Sequence, residues 1–510
     1  MGKCFRALVG MLVAWTGMAA SPLDPLPNGD RIPDFSTVGY HHGDAAIPRV
    51  PVVATVRAPD DGSDATKLIQ QTLDSARSPG AVLLKSGTYK LGGTLAIRRS
   101  GIVLRGEGLS TRLVATARRQ YTLVNVGGGK GRVVDPHAPA AVIAEERVPV
   151  GRTWVAVDKP QLFKVGERVC IFRPGTQEWI HDLEMDRIPP RRNHGKVSQW
   201  TPRRYNLYWE REVRKVDGKR IFFDAPVVMA LESKYGGGRL LKCSSERTTE
   251  CGVEDLLLES EFDPSVKDAQ GRWVDEKHAW TAVAVNRAEN CWVRNLTSRH
   301  FGNGLVSLNG GARLCTVENC HVEMPVSMVV GGRRYGLNMG GCELCLVRDS
   351  TVDNDRHGCV TGACVCGPNV FLRCTGKNMW SDFGPHHRWA TGCLYDNVKT
   401  SGQFNVQDRG NCGSGHGWAG ANFVLWNCEA GSFACQSPWV SAQNWSVGCV
   451  GPTSSHGRLK NTTFGHPDGR QRPDCVRISS GKHVTPRSLY EKQLADRRKR
   501  RESRLIQRTR

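Results

Sequence analysis

The feature that most limits how this chain can fold is a repeat that becomes readable at Cys251. Cys251-Gly-Val-Glu-Asp255, Cys291-Trp-Val-Arg-Asn295, Cys315-Thr-Val-Glu-Asn319 and Cys345-Leu-Val-Arg-Asp349 share one pattern. Asn369-Val-Phe-Leu-Arg373, Cys393-Leu-Tyr-Asp-Asn397, Phe423-Val-Leu-Trp-Asn427 and Asn444-Trp-Ser-Val-Gly448 continue it. From Asn295 the fifth position advances by 24, 30, 24, 24, 30 and 21 residues. A period in this range marks a solenoid. Each unit is a short alternating strand followed by Asn, Asp or Gly, the residues of a turn. Paired helices and a leucine-rich pattern are both missing, so the repeat predicts an all-β chain built as a parallel β-helix.

Stacked coils lie one strand spacing apart, about 4.8 Å, so equivalent residues form columns along the axis. Asn295, Asn319, Asn397 and Asn427 should form one, with amides satisfying turn backbone. Cys251, Cys291, Cys315, Cys345 and Cys393 should form a second, and Cys320, Cys374, Cys428 and Cys449 a third. The 19 cysteines are read either as small buried fillers or as coil-to-coil disulfides, which stacked positions are close enough to make. Asn295, Asn444 and Asn461 each match the glycosylation pattern, with Asn295 consumed by its ladder.

The remaining boundaries follow from local pattern. Residues 1–20 read as a signal peptide, with Lys3 and Arg6 ahead of an apolar run. This predicts a secreted or extracellular protein, periplasmic if bacterial. Residues 21–60 form a Pro-rich arm. In 61–147, Ala65, Leu68, Ile69, Leu73 and Ala76 fall on one face of a capping helix, with Asp64 at its start; the first coils follow. Residues 148–240 change pattern and read as an inserted antiparallel β module. Residues 241–466 form the main β-helix, and 467–510 a basic, disordered tail.

The opening segment, with its short helix, the Gly87-Thr88-Tyr89 turn and Gly101-Ile102-Val103-Leu104, resembles the first coils of the pectate-lyase superfamily. The stretches Gly384-Pro-His-His-Arg-Trp-Ala-Thr-Gly392 and Gly415-His-Gly-Trp-Ala-Gly420 look like an uncharacterised secreted subgroup of it. The resemblance implies a right-handed parallel β-helix capped by a short helix and leaves the reaction open, since the superfamily includes lyases, hydrolases, isomerising enzymes and binders.

The chemistry-bearing residues cluster between the two 30-residue steps, and extra residues in a solenoid coil emerge as loops on one face. His357, His387, Arg388, Asp408, Arg409 and His416 are the candidate catalytic residues. Arg333, Arg334, Arg356 and His386 are candidate substrate-binding residues, and Trp389 and Trp418 candidate platforms for sugar rings. Asp355 and Asp382 are candidate ligands for Ca2+, the one cofactor the acidic residues suggest. The net charge of +21 suits an anionic polymer. For a secreted chain that means an acidic polysaccharide rather than nucleic acid. No later stretch is long and apolar enough to span a membrane, and a monomer is expected. Histidine and arginine outnumber the acids, which favours a polysaccharide lyase acting by β-elimination on a uronate. Asp355, Asp382 and Asp408 keep a glycoside hydrolase open, and a non-catalytic glycan-binding surface protein is the third reading.

Overall fold

A computed structural model describes residues 21–135, 137–190, 196–454 and 472–509. The expected signal peptide and Asn461 lie outside these residues. The repeat closes as a right-handed parallel β-helix. Val103, Gly252, Trp292, Thr316, Leu346, Val370, Leu394, Val424, Trp445 and Val476 stand in register on successive coils. The next residue on most of these coils points inward. Val253, Val293, Val317, Val347, Phe371, Tyr395 and Leu425 line one continuous apolar core.

The fifth position of each unit has a common backbone state. Asp255, Asn295, Asn319, Asp349, Arg373, Asn397, Asn427 and Gly448 all have positive φ, between 49° and 66°. Asn, Asp and Gly tolerate this left-handed state best, which is why they recur there. Part of the predicted amide ladder forms: Asn319 Nδ2 donates to Asn295 Oδ1 at 2.8 Å, and Asn295 Nδ2 to Asp255 at 2.7 Å. Farther along, Asn397 and Asn427 donate instead to the carbonyl of Arg487. Arg373 bridges the gap by pairing with Asp349 at 2.6 Å.

A second parallel sheet carries the functional face. Its strands are Leu95–Ile97, Thr122–Val126, Thr281–Asn286, Gly304–Asn309, Tyr335–Met339, His357–Thr361 and Asp382–Pro385. The capping helix Thr66–Ser75 buries Ile69 and Leu73 at the open end, whereas Leu68 is exposed. Asp64 accepts from the amides of Thr66 and Gly92.

The inserted module is wider than its sequence boundaries. Its antiparallel sheet takes in Gly131–Val134 at one end and Arg239–Glu246 at the other. It docks on the solenoid in two ways. Trp179 and Trp200 pack edge-on against Trp389, with ring centroids 4.9 and 6.2 Å away. Arg168 of the module meets Glu289 of the coils through two bonds of 2.8 and 2.6 Å, and Arg247 meets Glu210 at 2.8 Å.

Three expectations are corrected. The tail is not a disordered end: Leu489–Thr509 is a helix. Tyr490 bonds the carbonyl of Val38, Gln493 bonds Phe35 and Pro33, and Arg497 pairs with Asp44. Leu489 and Tyr490 join Phe35 and Val38 in covering the outer face of Leu346, Val370, Leu394, Val424 and Trp445. The 18 described cysteines are all free. Those in the columns fill core space and donate to carbonyls, as Cys428 Sγ does to Tyr395 at 3.2 Å. Asn444 is fully buried, its amide bonding Gln436 and Gly420, so it presents nothing to glycosylate.

Trp389→Ala empties a packed site between module and solenoid and should cost about 3–5 kcal/mol, read as a lowered midpoint in chemical unfolding. Reductant should leave the thermal midpoint of the native chain unchanged, since no described bridge exists to break.

Candidate active site

The site is assembled by register. Tyr335 stands opposite His357 on adjacent strands, and Asp382 opens the next strand, in register with Gln403. His357 Nδ1 contacts Asp382 Oδ1 at 2.5 Å. The other Asp382 oxygen accepts from Asn405 at 2.7 Å and from Arg409 at 3.2 Å. Burial alone would raise the Asp382 carboxyl, but His357 and Arg409 outweigh it and hold the group well below the usual carboxylate range. With Asp382 ionised, His357 must donate through Nδ1. That fixes Nε2 as the bare nitrogen, and Nε2 is buried without a partner among the described residues.

Around this pair lies a chain of rings. The centroid of His386 is 4.6 Å from His357, 5.0 Å from His387 and 4.9 Å from His416, while His387 and His416 are 5.1 Å apart. Tyr335 lies 4.9 Å from His357, and its hydroxyl meets His386 Nε2 at 3.2 Å. Arg409 Nη1 reaches His386 Nδ1 at 3.3 Å and the His386 carbonyl at 3.0 Å. An arginine can only donate. If it does so to Nδ1, the proton of neutral His386 sits on Nε2 and is shared with the Tyr335 oxygen, leaving the phenol's own proton for another acceptor.

Every histidine in the cluster binds a proton less readily than a free imidazole. Burial lowers His357, although Asp382 opposes the shift. Burial and then the charge of His357 and Arg409 push His386 well below its ordinary range. Burial, Arg388 and Arg409 lower His387 to about 4. Burial, Arg409 and His387 lower His416 to about 2. The Nδ1 atoms of His387 and His416 are buried and unpartnered among the described residues. Tyr335, His386 and His387 open onto a cleft of ≈ 310 Å³ that is also lined by Trp280, Asn303 and Asn338.

The structure thus brings His357, His386, His387, His416 and Arg409 together, with Arg388 at the rim on Ser414 Oγ, 2.7 Å away. Other predicted site residues go elsewhere. Trp389 and Trp418 are fully buried in the core shared with the module and have no face for a sugar. Arg334 is buried and donates to the carbonyls of Ser327 and Asn354. Arg333 is tied to Glu276 by two bonds, at 2.7 and 2.9 Å. Asp408 is buried, receives Arg472 at 2.7 Å and the Gly410 amide at 2.8 Å, and so binds a neighbouring arginine rather than substrate. Arg356 is half-buried beside Asp355, with Nη1 enclosed and unpartnered among the described residues.

The calcium expectation also fails. The oxygens of Asp382 are already filled. Asp355 is enclosed under Gly336, where an added Cβ would stand 2.3 Å from its Oδ2. Burial lifts the Asp355 carboxyl to about 7 against the pull of the Arg356 amide and of Arg334. Among the described residues no group of three His, Cys, Asp or Glu is placed to hold a metal ion. Tyr335, Trp280, Asn303 and Asn338 belong to the cleft but were not singled out from sequence. Their signal was positional, since each stands at or beside a strand of the sheet that carries His357.

No family model and no curated protein matches the chain. Solved structures do match. The tailspike protein gp49 from Pseudomonas phage LKA1 aligns at 13% identity and TM-score 0.43, over 76% of this chain and 56% of its own. A polygalacturonase from Erwinia carotovora aligns at 10% and 0.38, over 81% and 95%. An alginate lyase from Paenibacillus sp. str. FPU-7 aligns at 8% and 0.36, over 84% and 99%. At these identities the likeness concerns the fold. The chain spans little more than half the length of the LKA1 tailspike it matches.

His387 and His416 bind protons less readily folded than unfolded, so protonation opposes folding. Their contribution is neutral above the ordinary value of 6.5 and becomes destabilising as pH falls from there toward about 4 for His387 and about 2 for His416. Between pH values near 7 and near 4.5, about the window those shifts define, the thermal midpoint of His416→Gln should fall less than that of the unaltered protein.

Proposed function

We propose that the chain cleaves an acidic polysaccharide by β-elimination. The observation that carries this reading is the pairing of neutral imidazoles with a tyrosine on one cleft, while the nearby carboxylates are enclosed. A hydrolase needs two carboxyl groups flanking the bond to be broken. Here Asp382 is consumed by His357, Asn405 and Arg409, Asp408 by Arg472, and Asp355 is shut beneath Gly336. Elimination needs other parts: positive charge to stabilise the carboxylate-conjugated anion, a base for the C5 proton and an acid for the departing O4.

His387 is the base of this reading. The nitrogen of its ring that faces the cleft takes the C5 proton, and the C–H electrons form the C4=C5 double bond as the C4–O4 bond breaks. Tyr335 gives its proton to O4 and is reprotonated from water, while His387 returns the C5 proton to solvent, which restores both groups. Arg388 and Arg409 supply the field that faces the substrate carboxylate. That same field helps hold His387 at about 4 in the free protein. An arriving carboxylate offsets it, so substrate binding raises the basicity of the histidine that must act. Asp382 and His357 hold this arrangement from beneath. The reading extends to a secreted protein, in keeping with the expected signal peptide. Among the described residues no helix is long and apolar enough to cross a membrane.

The test is a panel of uronate-containing polysaccharides followed for both unsaturated products and new reducing ends. Elimination gives an ultraviolet-absorbing double bond with every cut; reducing ends without absorbance would establish hydrolysis instead. Tyr335→Phe and His387→Gln should each lower kcat by about 10²–10⁴. The acid limb of kcat/KM should lie near 4, following free His387. Arg388→Ala removes a positive neighbour and should move that limb upward, toward 6.5.

A further inference from the structure

The cleft at Tyr335 is not the end of the groove. A second cleft of ≈ 500 Å³ lies on the same sheet toward the amino-terminal coils, lined by Asn125, Asn286, Arg98 and Arg287 among others. Register joins the two. Asn338 stands beside Ser307, Ser307 beside Ala284, and Ala284 beside Asn125. One step toward the strand ends, Asn309 stands beside Asn286.

The chemistry of this path is uniform. Asn338 and Asn309 both donate through Nδ2 to Ser307 Oγ, at 3.1 and 2.7 Å, which turns their carbonyl oxygens into the available groups. The side chains of Asn125, Asn286, Arg98 and Arg287 make no hydrogen bond or ion pair with other described residues. No carboxylate lines either cleft. Positive charge sits at the arginines around the histidine cluster, at Arg287 four strand steps from Asp382–Pro385, about 19 Å at one strand spacing per step, and at Arg98 two steps farther. Between the cluster and Arg287 the clefts are lined by amides, hydroxyls and uncharged side chains, with the rings of Tyr335 and Trp280 beside them.

We propose that this path is a substrate track, and that it takes a heteropolysaccharide in which uronates are separated by neutral or N-acetylated sugars. The proposal rests on the elimination reading of the same site. Amide oxygens accept from sugar hydroxyls and from acetamido N–H groups. They offer a carboxylate nothing that water does not. A homopolymer of uronates would place uncompensated carboxylates over the middle of the track, where no cation meets them. A mixed polymer carries fewer carboxylates over the amides and presents hydroxyl and acetamido groups to them, while its acids meet the arginines.

The experiment measures affinity by calorimetry for short and long oligosaccharides from hyaluronan, in which uronate alternates with an N-acetyl sugar, and from polygalacturonate. It uses the full chain and the Arg98→Ala/Arg287→Ala variant, with turnover of each parent polymer followed alongside. Both arginines are exposed, and an unchanged thermal midpoint verifies the fold of the variant. The expected result is tighter binding of the long alternating oligosaccharide, with a loss of roughly ten- to a hundredfold in the variant and little change for short ones. Tighter binding of the long oligogalacturonate, or a length dependence that survives the double substitution, overturns the track while leaving elimination standing. Length-dependent binding that the variant loses, with no polymer cleaved, supports the track and overturns elimination. Binding of neither oligosaccharide overturns the track.

Discussion

The left-handed bend at the fifth position of each repeat, inside or just after a strand of the first sheet, is the constraint on which the rest of this structure depends. At Asp255, Asn295, Asn319, Asp349, Arg373, Asn397, Asn427 and Gly448 the backbone turns at positive φ. Because the bend falls at the same point in every coil, the residues before and after it stack with their counterparts. A displacement of one residue would exchange inward and outward side chains across a strand. The core column of Val253, Val293, Val317 and Val347 and the functional column of Tyr335 and His357 both depend on this single repeated geometry.

A rigid scaffold lets the site keep groups in states they would not hold in water. Four imidazoles form a chain with ring centroids 4.6–5.1 Å apart beside Arg409, and burial, with the neighbouring positive charge, lowers their affinity for a proton. A flexible loop would relax by moving them apart. Here the rings are tied to strand starts, to Asp382 or to the turn at Gly413–Gly417, so charge rather than position adjusts. In the reading proposed above, that stored bias is released when an anion arrives.

The coil architecture was legible in the sequence because its signal is periodic and local. The cysteine-headed strands, the turn residues and the 30-residue steps each reported a backbone requirement. The histidine cluster was legible for a related reason, since its members sit on successive coils between those steps. The misassigned residues depend on contacts between distant segments. Trp389 and Trp418 sit in the loops expected to face substrate, and only the packing of Trp179 and Trp200 from the inserted module shows that they are core. Arg334 and Asp408 likewise have the composition of site residues, and carbonyls and Arg472 claim them. The basic tail looked solvated because its charge is plain in the sequence, whereas its partners Phe35, Val38 and Asp44 lie more than 400 residues away.

That last pairing has a bearing on how the molecule is made. Coils can stack in the order in which they leave the ribosome, since each needs only its neighbour. The flank formed by Leu346, Val370, Leu394, Val424 and Trp445 is different. It is sealed jointly by segments more than 400 residues apart, Phe35 and Val38 meeting Leu489 and Tyr490. A chain that stops short of residue 489 carries complete coils and an apolar stripe left partly open, the kind of surface that chaperones and proteases recognise. Helix Leu489–Thr509 therefore acts as a late seal: the flank closes only once this helix has been made and has met the arm at Phe35 and Val38.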